Sequence, residues 1–244
     1  MGAGHSPTST LYAVLWVIAI AGCDQVLGLD RRADAGLDAP SGPIAHLTMD
    51  MVAGNTVADV SGHGHDGTCT DCPTLVTASP RNTALSFTGV DRIAITAGGE
   101  LDTPAGLSVV AWIRVRVASG VIGCPYSKRL GILDNNSWEL CVMPDLRLGL
   151  WTSRGATLMP SDVLQVGRWY HTAFTWDGAI KTLYLDGAPI ATGEGMIDFD
   201  GGTIELGSET DTAIVVAGFP GEIDDVSIYD RVLDAASIAA LAMP

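Results

Sequence analysis

Leu107–Val117 reads LSVVAWIRVRV. Every second residue (Leu107, Val109, Ala111, Ile113, Val115, Val117) is apolar and falls on one face of an extended chain. Ser108, Arg114 and Arg116 fall on the other face, with Val110 and Trp112. A period of two is the signature of a strand with one face in a core and a second, partly polar face. The same period recurs outward from this stretch. Thr83–Phe87 and Arg92–Thr96 flank the turn Thr88-Gly89-Val90-Asp91. Trp169–Trp176 and Lys181–Leu185 form a hairpin across Asp177-Gly178, and Asp186-Gly187 turns the chain again into Ala188–Thr192. Asp-Gly suits such turns because both residues tolerate positive φ. Thr203–Leu206 and Glu222–Tyr229 complete the set. The one helix is the last element, Ala235–Ala242, with Asp234 as its cap. The expected fold is all-β: a two-sheet antiparallel β-sandwich (jelly roll) with one short C-terminal helix.

Of 244 residues, 47% are hydrophobic, enough to bury a sizeable core. The net charge of −15 and the lack of any basic cluster exclude nucleic acid as a partner. They also exclude docking on anionic lipid through a polybasic patch. The N-terminus reads as a processing segment. Leu11–Ile20 (LYAVLWVIAI) is an apolar run of signal-peptide length, too short for a membrane span. Ile20-Ala21-Gly22-Cys23 resembles a bacterial lipobox, which implies lipidation of Cys23, although no Lys or Arg precedes the apolar run. Residues 1–23 are thus expected to be a signal peptide with lipobox, 24–43 a flexible tether rich in Asp, Ala, Gly and Pro, and 44–244 one domain. An exported, lipid-anchored protein of the cell envelope follows, touching the membrane through its N-terminal lipid alone. The remaining cysteines, Cys69, Cys72, Cys124 and Cys141, are even in number, as disulfides in an oxidising compartment require. Three pairings are open, of which Cys69–Cys72 with Cys124–Cys141 is the simplest.

Three blocks together carry a family resemblance. Asp59-Val60-Ser61-Gly62-His63-Gly64-His65-Asp66-Gly67, followed by Ala84-Leu85-Ser86-Phe87-Thr88-Gly89-Val90-Asp91, is similar to D-S-S-G-N-G-x-D-G … L-x-F-x-G-x-D. The stretch Trp169-Tyr170-His171-Thr172-Ala173 through Leu183-Tyr184-Leu185-Asp186-Gly187 is similar to W-x-H-x-A … L-Y-V-D-G. The run from Gly221 to Leu233 (GEIDDVSIYDRVL) is similar to G-x-I-D-E-V-R-I-Y-N-R-A-L. In this order they resemble the LamG-like (concanavalin A-like, pentraxin-related) jelly roll. The resemblance implies a structural Ca²⁺ held between Asp224 and an acidic residue near the domain start, where Asp50 stands. By alternation Asp224 shares a face with Val226 and Ile228. His63 and His65 depart from the family, which has Asn there, and the Cys69/Cys72 pair is not a family feature.

Each chemical motif has a plainer counterpart. His63, His65, Cys69 and Cys72 offer four N/S ligands for zinc, but in an oxidising compartment the thiols are expected as a disulfide beside two solvated histidines. Glu222-Ile223-Asp224 begins a hydrolase-like E-x-D-x-x-E pattern, but Ser227 stands where the acid would be. His171 sits mid-strand without a triad partner nearby in sequence. Trp112, Trp138, Trp151, Trp176 and Tyr126 are the candidate stacking surfaces for sugar rings. Trp138 and Trp151 lie near the Cys124–Cys141 excursion, which reads as less regular. The expected function is a non-catalytic envelope binding module, for carbohydrate or an envelope or extracellular protein. A concanavalin A-like glycoside hydrolase and a structural envelope lipoprotein are the alternatives.

Overall fold

The computed structural model describes Met1, Gly2, Gly4 and Gly42–Pro244, apart from residues 103–104, 131–135, 212–213 and 216. The apolar run, Cys23 and the tether up to residue 41 lie outside the described residues. Chain contacts divide into the units Met1–Ser41 and Gly42–Pro244, and everything below concerns the second.

Two antiparallel sheets dominate it, their strands numbered in chain order. The first runs Ala188–Glu194 (β13), Ile180–Leu185 (β12), Trp169–Trp176 (β11), Leu107–Val115 (β7), Gly221–Tyr229 (β17), Asn82–Ser86 (β5) and Thr74–Ser79 (β4). Ala45–Leu47 (β1) also pairs with β17, making eight strands. The second sheet runs Leu148–Thr152 (β10), Asn136–Val142 (β9), Gly123–Arg129 (β8), Ile204–Leu206 (β14), Ile93–Ile95 (β6), Gly67–Thr68 (β3) and Thr56–Val57 (β2). Thr210–Asp211 (β15) and Ile214–Val215 (β16) form a small ladder of their own. Helix α1 (Ala235–Leu241) is capped by Asp234, whose Oδ1 accepts from Ser237 N at 2.7 Å.

The core lies between the inner faces. From the first sheet come Leu107, Val109, Ala111, Ile113 and Val115 of β7, the alternate set read from the sequence. From the second come Tyr126, Trp138, Leu140, Val142, Leu148, Leu150, Ile204 and Leu206. Strand β7 is buried on both sides, because Val110 on its outer face packs with Tyr184, Tyr229, Leu233 and Ile238 of α1. Val117, expected in the strand, lies beyond its end and is half exposed.

The irregular region expected around Cys124–Cys141 is instead three consecutive strands, β8, β9 and β10. Their pattern is masked by Pro125 and by Lys128, which is fully buried. Lys128 Nζ reaches Asp102 Oδ1 at 2.9 Å and Gly202 O at 2.6 Å, so its charge is compensated. Lys181 is also fully buried, and it bridges the sheets from β12 to Thr152 Oγ1 of β10 at 2.8 Å. A hydroxyl does not neutralise an ammonium, and burial pushes the Lys181 pKa down.

A buried charge without a counter-charge costs stability that an apolar chain of similar volume does not. Lys181→Met is therefore expected to raise the urea midpoint, corresponding to about 1 kcal/mol or more. A lowered midpoint would show the strut to the second sheet to be worth more than its desolvation.

Candidate functional site

The first polar centre is on the outer face of the eight-stranded sheet. Pairing of β17 with β7 shifts by one residue between Asp224 and Ser227, and Asp225 takes φ 51° at this bulge. Ile223, Val226 and Ile228 all face the core. The extra residue therefore puts Asp224 on the opposite face from Val226 and Ile228, contrary to simple alternation. There it lies across from Trp112, which lies across from His171 on β11. Trp112 and His171 meet edge-on at 5.4 Å.

Asp224 is fully buried. Its Oδ2 accepts from Ser79 Oγ, and its Oδ1 has no hydrogen-bond partner among the described residues. Burial raises its pKa to about 6, with Asp225 and Asp50 adding repulsion against the Ser79 hydrogen bond. Asp225 is held below the usual carboxylate range, first by His46, whose Nε2 lies 2.6 Å from Oδ1. Arg81 Nε stands 3.9 Å from Asp225 Oδ2, and its guanidinium also donates to the carbonyls of Leu241 and Met243. Burial and the Arg81 charge hold His171 down to about 4, so it is neutral at physiological pH. Asp50 is exposed and accepts from Thr83 Oγ1 at 2.6 Å. Asp50, Thr48, Arg81, Asn82 and Asp225 line an open cleft of about 370 Å³. The two carboxylates expected to share a cation are thus brought to one corner. They fit a hard cation in donor type: the orphaned oxygen of Asp224 and the Asp50 carboxylate remain once Asp225 is matched by His46 and Arg81.

The hydrolase-like pattern does not assemble. Glu222 is buried in an ion pair with Arg114, and Arg114 lies over the Trp169 ring at 5.1 Å.

The second centre, missed in the sequence, is the outer face of the seven-stranded sheet. Cross-strand register sets Trp151, Glu139, Ser127 and Glu205 in one row over β10, β9, β8 and β14. Their strand neighbours Leu150, Leu140, Tyr126 and Leu206 face the core, which fixes this row outside. Of the five candidate aromatics, Trp112, Trp138, Trp176 and Tyr126 are buried, and Trp151 alone is partly exposed. The Trp151 ring lies over Gly149, where any Cβ would meet ring carbons within 2.3 Å. It also packs on Cys124–Cys141, a disulfide directly linking β8 and β9. Asn136 Nδ2 donates to Glu139 Oε2 at 2.9 Å and Glu209 Oε1 at 3.2 Å, drawing two carboxylates together. Burial, with Glu209 second, raises Glu139 to about 7. Glu205 is buried and accepts from Thr210 Oγ1 and, at 3.3 Å, from Ser208 Oγ. Glu139 also lies near the sulfurs of Cys124 and Cys141, but these are bonded to each other and are not thiolate ligands. Cys69 and Cys72 form the second disulfide, so the four-ligand zinc set of the sequence reading does not exist.

Two antiparallel sheets stacked in this order define a β-sandwich of the jelly-roll class. The chain belongs to the concanavalin A-like lectin/glucanases superfamily, whose sequence profile it matches over residues 87–239. It is 29% identical over 153 residues to neuronal pentraxin-2 of Mus musculus, a match covering 55% of this chain and 33% of that relative. The chain thus spans about a third of the length of the curated relatives it matches. Among solved structures it resembles domain 4 of a GH43 extracellular arabinanase from Geobacillus stearothermophilus in complex with arabinotriose. That TM-score is 0.64 at 20% identity, over 82% of this chain and 98% of that one. Trypanosoma rangeli sialidase gives a TM-score of 0.66 at 13% identity, over 83% of this chain and 32% of the sialidase. These structural likenesses are likenesses of fold.

Asp224 provides a test of the corner. Its folded pKa lies above the unfolded value, so the fold favours the neutral carboxyl. That stability is fully present below 3.8 and is lost as pH rises through about 6. Asp224→Asn is expected to raise the melting temperature of the metal-free protein at pH 7.5 and to change it little at pH 4. An equal effect at both pH values would place the buried charge elsewhere.

Proposed function

We propose that this chain is a carbohydrate-binding module whose ligand lies on the outer face of the seven-stranded sheet, against Trp151. The observation that carries this reading is partly exposed Trp151 beside Glu139 on this face, with Asn136 and Glu209 next to them; Ser127 and Glu205, further along the same row, are buried and held by Ser208 and Thr210. A sugar ring presents an apolar face to stack on an indole and a rim of hydroxyls to hydrogen-bond. Here an indole packed over Gly149 and against a disulfide stands on the same sheet face as the Glu139 carboxylate, which Asn136 links to Glu209. The arabinotriose on the similar arabinanase domain supports a glycan as the ligand class.

The module is anchored by lipid at Cys23 in an envelope compartment; the lipobox-like Ile20–Cys23 supports this, as do two disulfides, which persist where thiols are oxidised. A Ca²⁺ ion held by Asp50 and Asp224 stabilises the fold by neutralising the aspartate corner; it supplies no chemistry to the glycan face. Calcium is expected to raise the melting temperature at pH 7.5, and Asp224→Asn to remove that shift while leaving glycan binding intact. A calcium shift that survives Asp224→Asn would contradict this assignment.

One observation favours a second reading, glycoside hydrolysis. Glu139, raised to about 7, can carry a proton beside Glu209, as an acid/base pair requires. Incubating the protein with glycans it retains on an array separates the two. The binding reading expects capture without release of reducing sugar, and a loss of at least tenfold in affinity for Trp151→Ala, about 1.4 kcal/mol. Turnover that disappears in Glu139→Gln while capture persists would establish the hydrolase. Capture unchanged by Trp151→Ala would move the ligand off this face.

A further inference from the structure

The outer face of the seven-stranded sheet offers charge as well as a stacking surface. Register sets Trp151 of β10 opposite Glu139 of β9, and Gly149 opposite Cys141. The indole leans back along its own strand over Gly149 and packs on Cys124–Cys141. A Glu139 carboxylate oxygen lies within 4.8 Å of both sulfurs of that disulfide. Indole and carboxylate therefore meet over the same disulfide. Asn136 Nδ2 reaches Glu139 Oε2 at 2.9 Å and Glu209 Oε1 at 3.2 Å, which holds a second carboxylate beside the first. Trp151, Glu139 and Glu209 are all partly exposed, so a ligand can touch each of them from solvent.

The charge at this place favours one kind of sugar. Among the described residues no Lys or Arg forms an ion pair with Glu139, and repulsion from Glu209 adds to burial in raising its pKa to about 7. A sugar hydroxyl can hydrogen-bond to such a carboxylate but leaves its charge uncompensated. A uronate or other acidic sugar adds repulsion, both here and from a chain of net charge −15. An ammonium group does the opposite. It supplies the missing counter-charge to Glu139, and the face of an indole attracts a cation as well.

We infer that the glycan taken by this face carries free amines: an unacetylated amino sugar, with one ring on Trp151 and its ammonium between the indole and the Glu139 carboxylate. This rests on the glycan reading of the same face and adds the charge of the ligand to it. Asn136 and Glu209 are left to meet neighbouring hydroxyls or a second amine. Ser127 and Glu205 take no part, since both are buried and held by Ser208 and Thr210. N-acetylation of the sugar removes its charge and so removes what Glu139 selects.

The test is calorimetry of the full-length chain at pH 7.0 in 150 mM sodium chloride, where screening acts beyond about 8 Å and weakens diffuse attraction of a polycation. The probes are a glucosamine tetramer, its fully N-acetylated form and a tetragalacturonate. The glucosamine tetramer is expected to bind at least tenfold tighter than either of the others. Glu139→Gln is expected to remove that preference, and Asp71→Asn, an exposed carboxylate in the loop after β3, to keep it. Gln retains an acceptor for Asn136 Nδ2, so circular dichroism is expected to show Glu139→Gln folded; Glu209→Gln stands in should it fail. Equal affinity for the amine and N-acetyl tetramers overturns the inference. So does a preference that survives Glu139→Gln or falls equally in Asp71→Asn. If an uncharged glycan is captured through Trp151 while the glucosamine tetramer is not, the inference falls and the glycan face stands. If no glycan is captured through Trp151, both fall together.

Discussion

The pairing of Gly221–Tyr229 with Leu107–Val115, interrupted by one extra residue, is the constraint on which the rest of the molecule depends. Both strands lie in the middle of the larger sheet and are buried on both sides. Without the bulge, Ile223 and the pair Val226 and Ile228 would face opposite ways, and half of the strand would lose its place in the core. With it, all three face inward, and the polar cost is concentrated at Asp224 and Asp225. Asp225, in a left-handed conformation, is matched by His46 and Arg81. Asp224 keeps a buried oxygen with no hydrogen-bond partner among the described residues. A buried acceptor without a partner costs stability, and here that cost falls in a central strand.

The smaller sheet resolves a different conflict. Its inner face supplies the large core side chains, Trp138 and Tyr126 among them, while its outer face carries an indole, a disulfide and three carboxylates. The Cys124–Cys141 bond joins β8 to β9 where their register shifts between Gly123 and Tyr126, and makes an apolar platform where a strand face would otherwise be polar. Trp151 rests on that platform because Gly149 has no side chain to displace it. An aromatic side chain already held in place loses little entropy when something packs on it.

Strands β5 to β7, β11 to β14 and β17 were legible in period-two stretches and Asp-Gly turns, and the terminal helix in its Asp234 cap; the short strands β1 to β3, β15 and β16, and the edge strand β4, were not named. Strands β8 to β10 were not, because Pro125, Lys128 and Gly149 break the alternation that marks a strand, while their burial depends on partners distant in sequence. The face of Asp224 was misread for a physical reason: alternation holds only while register is unbroken, and a bulge leaves no composition signal. Trp151 was among the aromatics named, but choosing it required knowing which side of β10 meets the core. His63 and His65 stood out at once. They were expected as solvated residues beside a disulfide, whereas Glu100 reaches them from 35 and 37 positions away through the β3–β6 pairing.

The central claim is that the outer face of the seven-stranded sheet receives a glycan. Amide chemical-shift mapping of the ¹⁵N-labelled chain during titration with the oligosaccharide it binds best tests this directly. The account predicts shifts clustered on Asn136–Val142, Leu148–Thr152 and Ile204–Thr210, with the Trp151 indole resonance moving most. Shifts confined to the Asp50–Asp225 cleft, or to the His63–Glu100 edge, would contradict it.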